Sequence, residues 1–120
     1  MGAYVSVQGW LDCGEGQERL VKDVVDRYDD EFYSRGWSIV TGPNNTVCVF
    51  YCGYIRESAL QWLHDQLRDI ASLAPPIDIE DRIRGLFFAL HEGRGTQEWQ
   101  VRDGQLLIEP LSSRYDYLFA

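Results

Sequence analysis

Lysine is nearly missing from this chain. Lys22 stands beside ten arginines, and these eleven basic residues face nineteen acidic ones for a formal net charge of −8. Nucleic-acid binding relies on Lys and Arg to neutralise phosphates, so such a balance argues against that class and against anionic membrane surfaces. A basic protein partner is favoured instead, because complementary charge raises the encounter rate. Acidity also serves solubility alone, and that plain reading stands beside the first.

Cysteine is scarce too. The odd set Cys13, Cys48 and Cys52 argues against a disulfide framework. Cys48 and Cys52 fall in a run that reads as a strand, where four residues span roughly 13 Å, beyond a disulfide's reach. No second ligand pair accompanies them, so zinc is not expected. All three are expected to be buried, reduced, structural thiols, which implies a reducing compartment. No run of apolar residues has the length needed to cross a bilayer. The opening MGAYVSVQGW lacks the basic-then-apolar order of a signal peptide, so the expected location is cytoplasmic. The sequon Asn44-Asn45-Thr46 then carries no meaning.

Signatures of catalysis are absent as well. There is no G-x-S-x-G, no H-E-x-x-H and no phosphate-cradling glycine loop. His64 is expected on a solvated helix face and His91 at a strand end beside Glu92, neither with a nucleophile nearby in sequence. The pairs Asp29/Asp30 and Glu80/Asp81 lack calcium-loop spacing. The expectation is a protein that is not an enzyme and needs no cofactor or metal.

What the chain does have is core material. Four Trp, seven Tyr and five Phe occur in 120 residues that are 45% hydrophobic, enough for a single domain spanning 1–120. Residues 3–12 alternate Val5, Val7 and Leu11 against Tyr4, Ser6 and Gln8, the period of a strand with one buried face. Leu20, Val21, Val24, Val25 and Tyr28 predict a helix over about 15–30. Asp26, Asp29, Asp30 and Glu31 near its end oppose the helix dipole, so that end is loose or its charge has a use. A short strand over 36–40 and a turn at 41–45 precede the run 47–54, apolar on both faces and suited to an interior strand. A second helix over 57–73, with Leu60, Leu63, Leu67, Ile70 and Ala74 as its stripe, ends at Pro75-Pro76. After a loop at 75–81 come strands at 82–91, 97–102 and 105–109, the last two joined by Asp103-Gly104, a type I′ hairpin signal. The aromatic tail 111–120 is expected to dock on the body.

The order β-α-β-β-α-β-β-β predicts an α+β fold with a mixed, mostly antiparallel sheet and both helices on one face. It is compatible with a ferredoxin-like split β-α-β core extended by a C-terminal hairpin. Aromatic residues and acids that share segments suggest a binding surface, since aromatics anchor interfaces. The candidate partner-binding residues are Asp26, Asp29, Asp30, Glu31, Tyr33, Trp37, Tyr54, Glu57, Trp62 and Asp65, with Trp99 also considered. Most aromatics are expected to fill the core. Trp62 has the best claim to exposure because it lies off the helical stripe.

The stretches YVSVQGWLDC (4–13), FYSRGW (32–37), VFYCGYIRESALQWLHDQLRDIA (49–71), DRIRGLFFALHE (81–92) and EWQVRDGQLLI (98–108) resemble a group of small bacterial immunity proteins. Such proteins are encoded beside polymorphic or contact-dependent growth inhibition toxins. The resemblance implies stoichiometric inhibition: the protein binds a cognate toxin domain, often a nuclease, and occludes its active site or an essential surface. Contact residues vary within the group, so the resemblance assigns none by position. Two other classes stay open: a small-molecule-binding regulatory domain with a pocket at Tyr51, Tyr54 and the entrance of the second helix, and a metal-assisted hydrolase using the carboxylates.

Overall fold

The computed structural model describes residues 3–14, 16–75 and 82–119. Six strands, β1 (Tyr4–Cys13), β2 (Trp37–Thr41), β3 (Val47–Arg56), β4 (Arg84–His91), β5 (Gly95–Arg102) and β6 (Gln105–Pro110), form one sheet in the order β2-β3-β1-β4-β5-β6. Every adjacent pair is antiparallel, so the sheet is not mixed. The first four strands take the order 4-1-3-2 of the split β-α-β core, and β5 and β6 extend it on the β4 side. The helices are α1 (Glu18–Arg27) and α2 (Leu60–Ala71), the latter entered through a 3-10 turn at Glu57–Ala59.

Both helices cover one face. Val21 and Val24 of α1 and Leu60, Leu63, Leu67 and Ile70 of α2 join a single buried cluster with Val5, Val7, Leu11, Val49, Tyr51, Phe87 and Trp99 of the strands. Burying each such side chain contributes about 1.5–3 kcal/mol, which is what holds the helices to the sheet. Gly9 lies in the centre of this face, opposite Tyr51 on β3 and Phe87 on β4. A Cβ there would come within 2.5 Å of the Phe87 Cα, so only glycine lets the strands and their rings close at that point.

The opposite face carries the alternate residues, including Trp10, Phe50, Tyr54, Leu86 and Phe88. The tail partly covers it. Leu111 N–H bonds the Thr96 carbonyl at 3.1 Å, and the Ser112 N–H reaches the buried Glu98 carboxylate at 2.6 Å. The 3-10 segment Ser113–Leu118 then brings Tyr115 and Phe119 edge-on to Phe88. Docking of the tail is thus borne out. So is the hairpin, since Asp103 and Gly104 have φ of 52° and 76°, the positive values a type I′ turn requires.

Three expectations are corrected. Helix α1 stops at Arg27 instead of continuing to 30, because the acids beyond it bond their own backbone in a non-helical turn. Only Cys13 is fully buried; Cys48 is half-buried and Cys52 is exposed, because even-numbered β3 residues face away from the helices. Burial pushes the Cys13 thiol up to about 12, with the charge of Asp12 adding to the effect. His64 is half-buried against Trp99, with ring centroids 4.6 Å apart, and does not lie on a solvated face. The expected loop over 75–81, with Glu80 and Asp81, lies outside the described residues from 76 onward. Among the described residues no helix is long and apolar enough to cross a membrane.

Candidate acidic–aromatic binding surface

Where α1 ends, the chain needs acceptors for backbone amides that helix and sheet no longer satisfy. Short acidic side chains supply them. Asp29 Oδ1 accepts the Glu31 N–H at 3.0 Å, and Asp30 Oδ1 accepts the N–H groups of Phe32 at 3.0 Å and Ser34 at 2.9 Å. The Asp30 N–H in turn donates to Ser34 Oγ at 3.1 Å. These local bonds compete successfully with further helix. Burial alone would raise the Asp30 carboxyl, but the backbone donors of Ser34, Phe32 and Tyr33 together hold it below its ordinary value.

This turn places Glu31 at φ 65°, a left-handed conformation that a residue with a Cβ adopts at a cost of roughly 1–2 kcal/mol. Its immediate neighbour, Phe32, is 77% exposed, the most exposed of the large apolar side chains among the described residues. A phenyl ring so exposed gains little for the fold, yet the turn beneath it is over-determined by hydrogen bonds. Asp26, Asp29, Asp30 and Glu31 are all exposed around it.

The turn is fixed from below by aromatic residues. Tyr33 packs on Phe32 (centroids 5.7 Å) and on Trp62 of α2 (6.0 Å), and its carbonyl accepts the Tyr51 hydroxyl at 2.9 Å. Burial pushes the Tyr51 phenol well above its ordinary value. Trp62 Nε1–H donates to the Tyr28 carbonyl at 2.7 Å, and the Tyr28 hydroxyl donates to Asp69 Oδ2 at 2.6 Å. That hydrogen bond, with burial and the charges of Asp69 and Asp65, raises the Tyr28 phenol. Asp65 is half-buried on the same helix, accepts from Gln61 Nε2 at 2.8 Å and lies 3.7 Å from Arg68.

The structure therefore joins Asp26, Asp29, Asp30, Glu31, Tyr33, Trp62 and Asp65 into one neighbourhood, and separates the rest. Trp62 is half-buried between the helices and not the exposed anchor expected of it; it is packing for the turn. Trp37 is likewise half-buried, edge-on to Tyr51 at 4.9 Å. Trp99 is completely buried. Tyr54 is 57% exposed but on the opposite sheet face, stacked on Tyr4 at 4.8 Å and hydrogen-bonded to Glu92, which raises its phenol. Glu57 is tied to Arg94 at 2.7 Å. Tyr51 and Tyr54 point to opposite faces, so the pocket expected between them does not form.

Two residues of the surface escaped sequence reasoning. Phe32 sits in a polar run with no periodicity to mark it, and Asp69 reveals itself only through its i+7 spacing from Trp62. No group of three or more His, Cys, Asp or Glu among the described residues is placed to hold a metal. In comparisons with known proteins, no family model, no curated protein and no solved structure matches the chain.

Proposed function

We propose that this protein is an immunity protein that binds a basic toxin domain, most simply a nuclease, and occludes it stoichiometrically through the surface around Phe32. The observation that carries this reading is an exposed phenyl ring held on a hydrogen-bonded turn among four carboxylates. An exposed aromatic anchor ringed by charge is the composition of an interface hot spot, and its preorganisation lowers the ordering cost of binding. The carboxylates complement a surface built to hold phosphate, raising the association rate and favouring one orientation. The resemblance in segment wording to bacterial immunity proteins supports the same reading.

The reading predicts a toxin domain encoded directly upstream of this chain, and the test uses that domain. Co-expression should restore growth, and purified components should bind one to one with nanomolar affinity or better. Phe32→Ala should weaken the complex by about 30-fold, corresponding to ~2 kcal/mol for an interface anchor. Asp29→Asn with Glu31→Gln should slow association, mostly at low ionic strength. A complex indifferent to all three substitutions, or turnover of a substrate by the purified protein, would remove the proposal.

A further inference from the structure

The acidic chain gathers four of its ten arginines in one place. Arg82, Arg84, Arg102 and Arg114 line an open cleft of about 960 Å³ at the Asp103–Gly104 end of the sheet, between β4, β5 and the tail. Leu86 and Tyr115 supply its apolar and aromatic wall, and the Arg114 guanidinium lies 5.9 Å from the Tyr115 ring centre. Like charges converging on a cavity repel one another, and the surrounding protein carries ample acid to disperse them. Yet of these four arginines only Arg102 has an ion-pair partner among the described residues, Asp103 at 3.3 Å. Asp12 is the register partner of Arg84 on β1, but no ion pair joins them. Glu98, the nearest buried carboxylate on β5, is engaged by Gln100 Nε2 at 2.8 Å and by the Ser112 amide.

We infer that this cleft binds a phosphorylated small molecule carrying at least two negative charges. Guanidinium groups pair bidentately with oxyanions and stay charged at every relevant pH. The arginines arrive from different elements: Arg84 from β4, Arg102 from β5 and Arg114 from the tail. Converging donors suit a tetrahedral phosphate with three acceptor oxygens better than a planar carboxylate that offers one edge. The volume falls within the range of small-molecule sites, and Tyr115 with Leu86 gives a non-polar portion of the ligand a surface to rest on. The Arg82 guanidinium passes close to the hairpin glycine, where a Cβ at Gly104 would lie 2.5 Å from its Nη1.

Calorimetric titration of the full chain with pyrophosphate tests the inference. Saturable binding in the sub-millimolar range is expected, weakening about tenfold in each of Arg84→Gln and Arg114→Gln as a charge-assisted contact is lost. Both side chains are exposed, so the variants should melt with the parent. Arg94→Gln removes an arginine outside the cleft, the one paired with Glu57, and should bind as the parent does. Citrate serves as the polycarboxylate arm. No saturable heat with pyrophosphate, equal loss in Arg94→Gln, undiminished binding in the two cleft variants, or citrate binding as tightly as pyrophosphate would each overturn it.

Discussion

The acidic turn after α1 and the arginine cleft beside β5 concentrate charge of opposite sign, and the fold treats them differently. At the turn, the carboxylates of Asp29 and Asp30 are spent on backbone amides, and Tyr33, Trp62 and Tyr51 continue the core up to it. At the cleft, three of four guanidinium groups have no ion-pair partner among the described residues, and the strands would form without them. Charge used for architecture sits on a rigid base with a hydrophobic tip; charge held in reserve lines a cavity. The contrast predicts that substitutions at the first site act on stability and those at the second do not.

Trp62→Ala should have the largest effect, costing about 3 kcal/mol in urea unfolding through lost packing and the lost bond to the Tyr28 carbonyl. Arg84→Gln and Arg114→Gln should stay within about 0.5 kcal/mol of the parent. A Trp62→Ala cost no larger than theirs would erase the distinction. Asp30→Ala should cost about 1 kcal/mol, because two amides lose their acceptor. It should also alter the acid limb of stability. The folded carboxyl lies below its ordinary value of 3.8, so the unfolded chain binds the proton first as pH falls. That contribution is complete above 3.8 and is lost as pH drops through the folded value. Unfolding curves of Asp30→Ala that fall as steeply as the parent's over that range would show that the turn does not depend on the charge.

The smallest pH-dependent effect should come from His64 of α2, which packs against Trp99. Burial lowers its value beneath 6.5, and the nearby Arg68 charge lowers it further. The unfolded chain therefore takes up the proton first, and stability should decline modestly as pH falls below 6.5 and level off beneath the folded value. NMR titration of the ring should give a midpoint below 6.5; a midpoint at 6.5 or above would mean that burial against Trp99 does not govern the ring.

The strands and both helices were legible in the residues because alternation in β1 and the stripe Leu60, Leu63, Leu67 and Ile70 report which face is buried. Asp103-Gly104 was legible because few turns accept two positive φ angles. Surface residues were harder. Trp62 lies off the apolar stripe, which suggests exposure, but Trp62 and Asp69 on that flank meet the end of α1 through hydrogen bonds with Tyr28 that hydropathy does not register. The end of α1 is not legible because acids at 29 and 30 signal only opposition to the helix dipole, while their role as acceptors for the amides after it depends on the turn geometry. The arginine cleft joins residues at 82, 84, 102 and 114, which only sheet register and tail docking bring together.

The unequal setting of the three thiols makes the native chain its own labelling reagent. Cys13 is sealed and protonated, whereas Cys52 opens onto the groove formed by Trp10, Phe50 and Phe119. A maleimide dye should therefore attach at Cys52 without engineering, beside the indole of Trp10. Its emission would then report whether the aromatic tail, which also carries Arg114 and Tyr115 into the arginine cleft, is seated or lifted.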